Sequence, residues 1–313
     1  MIRELAKSIR EYKKVSIMTP ILVSMEVVME CLIPFIIANL VNQIKAGCEF
    51  QVIAVYGLVL VLMAGISLLF GAWAGNTCST ASCGLAKNLR KDMFYNIQNF
   101  SFENIDKFSA SSLVTRLTTA VTNVQMAYMM IIRIAIRCPL MLIFAFIMAF
   151  VMGGKMAAIF LFVVPVLGFG LFLVIRRVMP LFRRVFKKYD ALNSSIQENV
   201  KGIRVVKSFV REDYEKEKFD RAAEDVCSDF TRAERILAIN NPLMQFCVYA
   251  VMVFVLSFGS YTVITSRGID LDVGQLSALL TYSFMILMSL MMISMVFVTV
   301  SYTHLTLPTT SRV

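Results

Sequence analysis

The chain has one histidine, His304, one tryptophan, and no pair of cysteines at CxxC spacing. A mechanism that needs histidine as ligand, base or proton shuttle is left almost without candidates. The seven cysteines, at positions 31, 48, 78, 83, 138, 227 and 247, fall in apolar runs or in segments expected on the reducing side of a membrane, and none has metal-ligand spacing. No GxxxxGK[ST] phosphate loop occurs; Gly153-Gly154-Lys155 sits in a short turn and is followed by a methionine. No nucleophile–base set or metal cluster stands out, which argues against a membrane enzyme. A cleavable leader is not expected either, because the apolar run after the basic, amphipathic start MIRELAKSIREYKK is too long for one.

Charge is the other scarcity. Only 17% of the 313 residues are charged, whereas 58% are hydrophobic, and the mean hydropathy is +0.71. Soluble domains of this size have about 45–50% apolar residues, so a water-soluble fold could not hide this surface and lipid is the natural solvent. The net charge of +10 does not point to nucleic acid, because the basic residues sit in blocks between long uncharged runs.

A spanning helix needs about 20 mostly apolar residues. Six runs qualify, at 15–44, 50–75 (continuing uncharged to 86), 126–153, 156–175, 242–266 and 273–300. An all-α membrane protein with six transmembrane helices follows. Short and long connections alternate, so the long ones share one side. Lys and Arg choose that side: 27 lie in the N-terminal segment, the two long connections and the start of the third run, against three (Lys45, Lys155, Arg267) in the short loops. The positive-inside rule places the N-terminus and both long connections in the cytoplasm of a multi-pass plasma-membrane protein. In the second long connection Ile196, Val200, Ile203, Val206 and Val210 recur at helical spacing, which predicts spanning helices that run far into the cytoplasm and turn back there.

That connection contains Gln197-Glu198, then Gly202-Ile203-Arg204-Val205-Val206-Lys207-Ser208-Phe209, then Arg211-Glu212. It closely resembles the second intracellular loop of ABC exporters. The first long connection, IDKFSASSLVTRLTTAVTNVQ from Ile105 to Gln125, is similar to the Asp-Lys-Phe … Ser-Leu-x-Thr-Arg-Leu-Thr segment of the same family. The resemblance covers residues 1–300 and implies the ABC exporter transmembrane-domain fold of the bacterial multidrug or lipid half-transporter type. It further implies two short coupling helices seated on a nucleotide-binding domain, the first at Phe102, Glu103, Asn104, Ile105, Asp106, Lys107 and Phe108, the second at Phe209, Arg211, Glu212, Asp213, Tyr214 and Glu215. The partners implied are the lipid bilayer, a nucleotide-binding domain and a second transmembrane half in a homo- or heterodimer. ATP and Mg would belong to the nucleotide-binding domain, since this chain has neither an LSGGQ-like segment nor an apolar strand ending in Asp-Glu and so would not hydrolyse ATP alone.

Two departures from the family pattern bear on these expectations. Ala120 stands where many relatives carry an acid after Thr-Arg-Leu-Thr-x, which removes any contact that acid makes. The tail Ser301–Val313, SYTHLTLPTTSRV, lacks the charged amphipathic pattern of a cytoplasmic helix extension; it reads as a truncated or non-native end to a chain whose nucleotide-binding domain is missing.

Within the apolar runs, Glu26 and Glu30 lie four apart on one face of the first helix. Intramembrane acids suggest a functional site by default, here a cavity favouring cationic amphiphiles, with pairing to another helix as the structural alternative. Arg133 and Arg137 share a face near the cytoplasmic end of the third helix, where snorkelling to lipid phosphates is expected. The 21 methionines and 24 phenylalanines would give adaptable walls to a poly-specific pathway, and equally ordinary lipid-facing surface. The sequence thus reads as the membrane half of an ATP-driven exporter of amphiphilic drugs or lipids. A non-transporting membrane scaffold and an ion-coupled transporter using Glu26 or Glu30 as proton site are the alternatives.

Overall fold

The computed structural model describes residues 8–100 and 110–306, with only the backbone described at 110–112, 186, 190 and 297–306. A single 3-10 turn, Arg10–Tyr12, leads into α1 (Lys13–Lys45), followed by α2 (Phe50–Gln98). A short α3 (Ala110–Thr115) passes through a π-helical turn, Arg116–Ala120, into α4 (Val121–Gly153). Then come α5 (Ile159–Ser208), α6 (Glu212–Ala238), α7 (Asn240–Thr265) and α8 (Val273–Thr306). The described residues are thus all-α, as hydrophobic runs with no alternation demand.

Among the described residues, five continuous helical stretches are long and apolar enough to cross a membrane: Arg10–Lys45, Phe50–Gln98, Leu113–Ser208, Glu212–Thr265 and Val273–Val296. The third has 96 residues, about 144 Å if straight against a hydrocarbon core of about 30 Å. It breaks at Gly154, whose φ of 48° and ψ of −122° leave the helical region, and a 3-10 turn, Gly154–Ala158, follows before α5. Two of the apolar runs therefore share one stretch, which is why five stretches hold six runs. The 49 residues of α2 and 50 of α5 each reach about 75 Å. Both overshoot a bilayer, as the long uneven connections predict.

The chain divides into two units, Met1–Val166 with Cys247–Val313, and Leu167–Phe246. In the first, α1 is the spine: it packs on α2, α4 and α8, while α4 also packs on α2 and α8. Val23, Val27 and Ala38 of α1 are fully buried, as are Ala74 and Ala81 of α2 and Ala145 and Ala149 of α4, small residues that let the helices approach.

Polar pairs run the length of this spine. At one end Arg10 bonds Asp92 at 2.7 Å, Ser8 bonds the same carboxylate, and Asn88 donates to the Ser8 carbonyl. The Tyr12 ring fills the space left by Gly84 of α2, where a Cβ would meet it at 2.5 Å. Tyr128 bonds Ser16, and the buried Thr19 bonds Thr77. Further along, the fully buried Tyr282 of α8 donates to the Cys31 carbonyl at 2.7 Å, beside the turn where Pro34 withholds a backbone donor. At the far end Asn42 donates to Asp272 and accepts from the Gly274 amide, while Gln275 accepts from the Asp272 amide and completes a capping arrangement for α8.

That last junction brings backbone against backbone. A Cβ on Gly274 would lie 2.0 Å from the Ala38 carbonyl oxygen, which no rotamer change relieves. Gly274→Ala is therefore expected to cost about 3 kcal/mol and to lower the thermal midpoint in detergent. Gly65→Ala, where nothing lies within 4 Å, should leave it unchanged or slightly raised. Equal midpoints for the two variants would contradict the close approach.

Candidate functional site

The acids of α1 do not stand free. Arg137 of α4 bonds Glu26 at 2.5 Å through one guanidinium nitrogen and both oxygens of Glu30 at 2.7 Å through another. The Glu26 side chain is only 10% exposed, and its second oxygen is buried without a hydrogen-bond partner among the described residues. One turn before Arg137, Arg133 lies against α2, with a guanidinium nitrogen 3.5 Å from where a Cβ on Gly75 would stand. Gly71 does the same for Glu26, whose carboxylate oxygen would be 3.0 Å from an added Cβ. Two glycines four apart on α2 thus make room for one charge each. That spacing was visible in the sequence, but its meaning depends on which helix faces it.

The snorkelling expected of Arg137 is corrected by this geometry: the guanidinium turns inward because two carboxylates are closer partners than lipid phosphate. The expected cation-favouring cavity at Glu26 and Glu30 is revised with it. Both carboxylates are already engaged by a cation, so the pairing alternative describes them. Removing one partner leaves the others uncompensated in a low-dielectric setting. Arg137→Met should cost on the order of 3–5 kcal/mol of stability and reduce folded yield. Adding Glu26→Gln and Glu30→Gln to Arg137→Met should recover most of it. If the triple variant is as unstable as the single one, charge imbalance is not the cause.

The second expected site lies on the α5–α6 hairpin. From Lys188 to Val206 the shielded positions of α5 are 188, 192, 195, 199, 202 and 206, steps of four and three that mark a coiled-coil seam. On α6 the seam holds Ala222, Val226, Asp229 and Ala233. Phe182 and Phe230 meet edge to face with centroids 6.2 Å apart, Lys188 bonds Asp229 at 2.8 Å, and Asn199 bonds Glu215 at 2.5 Å. The hydrogen bond between them holds the Asp229 carboxyl below its ordinary range and the Lys188 ammonium above its own. The helical spacing of Ile196, Val200, Ile203 and Val206 is therefore real, but only Val206 enters the seam. Ile196, Val200 and Ile203 are exposed and, with Phe219, line a groove of about 540 Å³ beside it.

No separate short helix occupies 209–215. Instead α5 ends at Ser208, the Val210 amide bonds the Lys207 carbonyl, and the Arg211 amide reaches back to Val206 at 3.0 Å. This is a Schellman closure, and it puts Val210 at φ 52° in the left-handed position where glycine is usual. The expected second coupling helix is thus a tight reverse turn, with Glu212, Asp213 and Glu215 in the first turn of α6, where acids suit the helix dipole. Phe209, Val210 and Tyr214 stand outward at 74%, 82% and 59% exposure. The strain is local: Val210→Gly should stabilise the hairpin by about 1 kcal/mol, readable as slower amide exchange in 205–211, and unchanged exchange would mean that Val210 carries no such strain.

The first expected coupling segment, Phe102, Glu103, Asn104, Ile105, Asp106, Lys107 and Phe108, lies outside the described residues. Just after it, the π-helical turn Arg116–Ala120 is braced by Arg90 of α2, which donates to the Leu117 carbonyl and the Thr122 hydroxyl, both at 3.2 Å. Sequence reasoning passed over Arg90, because nothing in its neighbourhood on α2 distinguishes it from other interfacial cations.

Comparison with known proteins bears on the whole arrangement. The family profile described as the ABC transporter transmembrane region matches residues 16–291. The chain is 27% identical over 263 residues to the ABC transporter ATP-binding protein YfiB of Bacillus subtilis, covering 84% of this chain and 45% of that one. A second ABC transporter ATP-binding protein, from Mycobacterium tuberculosis, is 28% identical over 291 residues, 93% of this chain and 50% of its own length. An ATP-dependent lipid A-core flippase of Aromatoleum aromaticum is 28% identical over 228 residues, 72% of this chain and 36% of the flippase. The chain thus spans about half the length, or less, of these relatives. With the profile matched from the first long helix into the last, this chain belongs to the ABC transporter transmembrane-region family.

Proposed function

We propose that the chain is the transmembrane domain of an ATP-driven exporter, supplying half of a pathway for amphiphilic drugs or lipids. A second half, identical or homologous, completes the pathway, and the long connections face the cytoplasm of a bacterial cell. ATP and Mg are handled by a nucleotide-binding domain that docks at the hairpin turn Phe209–Glu215 and at 102–108.

The observation that carries this reading is the α5–α6 hairpin. Its seam runs on to Val206, close to a turn that presents two exposed aromatics, Phe209 and Tyr214. A stiff arm ending in apolar knobs ringed by Arg211, Glu212 and Asp213 suits transmission of force from a soluble domain. A helix that merely crossed lipid would not need about 27 Å of coiled coil outside it. The likeness to lipid A-core flippases supports an amphiphilic cargo. Within the first unit, Met252, Phe284 and Leu287 help line an apolar recess of about 360 Å³ between α7 and α8, compatible with such a cargo. An ion-coupled mechanism at Glu26 or Glu30 is disfavoured, because protonating either carboxylate would cancel its ion pair with Arg137.

The test uses the chain joined to its ATPase domain and reconstituted in vesicles. Phe209→Ala with Tyr214→Ala should lower ATP-dependent efflux of an amphiphilic dye by about ten-fold or more at unchanged folded yield. Efflux at the parental rate would remove the docking role of this turn.

A further inference from the structure

Between Arg183 and Lys188 the cations of α5 divide into two pairs, Arg184 and Lys188 near the acids of α6 and Arg183 and Lys187 turned away from them. At 100° per residue, Arg176, Arg183 and Lys187 (i, i+7, i+11) fall within about 20° of one line, opposite the buried Val178 and Val185. All three are exposed, and none has a carboxylate partner among the described residues. Lys188, by contrast, occupies a seam position and is taken by Asp225 and Asp229, and Arg184 lies near enough to Asp229 to lower its pKa. Among the described residues the outward stripe thus has no ion-pair partner, whereas Lys188 has two.

The same outward line continues toward the apolar end of the helix through Phe169 and Phe172, 64% and 56% exposed. From Ile159 to Ile175 the helix carries no charge over a rise of about 26 Å, close to the thickness of a hydrocarbon core. Arg176 is thus the first cation where lipid tails give way to headgroups. Arg183 and Lys187 follow about 10 and 16 Å further out. An aromatic surface that passes directly into an unpaired guanidinium matches a molecule with acyl chains and an anionic head.

From this continuity we infer that the outward face of α5 at Phe169, Phe172 and Arg176 is a binding site for an anionic phospholipid of the bilayer. Its acyl chains lie on the two rings and its phosphate meets Arg176, while Arg183 and Lys187, both beyond a Debye length, add little at physiological salt. The contribution of each cation depends on depth. Arg176 touches the headgroup, whereas Lys187 stands beyond a Debye length of about 8 Å at physiological salt. The site shares no residue with the Arg137 cluster or with the hairpin turn. It gives the membrane's lipid composition a direct hold on the helix that leads to that turn.

The chain's single tryptophan, Trp73, makes a local readout possible. In a Trp73→Phe background, Phe172→Trp places the only indole on the proposed site. The full chain is assembled in phosphatidylcholine nanodiscs containing either brominated phosphatidylglycerol or brominated phosphatidylcholine, and quenching is compared. Both leaflets have the same composition, so the result does not depend on the orientation or transport activity proposed above. Quenching should favour phosphatidylglycerol by about five-fold at physiological salt. Arg176→Gln should bring the preference close to parity, and Lys187→Gln should change it less than about two-fold. Millimolar inorganic phosphate should leave the preference intact; its abolition would identify a site for free phosphate and overturn the lipid assignment. Equal quenching by the two lipids in the parent chain would overturn it as well. Failure of either lipid to quench would show the face to be covered by protein, such as a second copy, and would likewise reject the site.

Discussion

Lipid offers no partner to a polar atom, and that constraint organises the first unit of this protein. A guanidinium and two carboxylates inside apolar helices are tolerable only when they meet one another. Arg137 therefore fixes the register of α4 against α1, since only one rotation and one depth bring it within bonding distance of Glu26 and Glu30 together. Gly71 and Gly75 follow from that contact, because α2 must leave space where the charged groups stand. The other polar pairs along α1 repeat the rule at lower cost, from Tyr128–Ser16 to Asn42–Asp272. Each bond selects a helix neighbour where apolar packing alone is almost indifferent to rotation.

The second unit obeys a different solvent. From Arg176 to Arg235 its helices are rich in charge, and their association there depends on a narrow seam at 3.5-residue spacing that includes ion pairs. Such a seam makes two helices behave as one stiff body. The apolar residues left outside it, Ile196, Val200, Ile203 and Phe209, are surplus to the hairpin's own stability. Exposed apolar surface beside a coiled coil is a feature of docking rather than of folding. The closure at Val210 adds a β-branched residue in a backbone conformation that disfavours it. Local strain at the end of an otherwise regular hairpin coincides with the place where a partner is proposed to press.

Much of this was legible in the amino-acid order. Long apolar runs marked the long helices to within a few residues at most ends, because apolarity sustained over about 20 residues suits little besides the interior of a bilayer. The motif around Gly202–Phe209 pointed to the family that the match over residues 16–291 establishes. Other features were not legible. Glu26 and Glu30 on one face read as an open anionic site, and Arg137 as a snorkelling cation, since a helix sequence displays its own face but not its neighbour's. The same limit applied to Ile196, Val200 and Ile203. Their period announced a helix, yet the shielded line is the one through Leu192, Ser195 and Asn199.

By itself, then, the sequence determined the solvent, the helical class, the approximate places of the long apolar helices and the family, because each depends on composition or on spacing within one segment. Tertiary structure alone decided that Arg137 joins Glu26 to Glu30, that Gly274 lies on the Ala38 carbonyl, and that Tyr282 bonds beside the Pro34 turn. Those facts join residues a hundred or more positions apart. They depend on helix rotation and depth, which apolar periodicity leaves free and which buried polar partners fix.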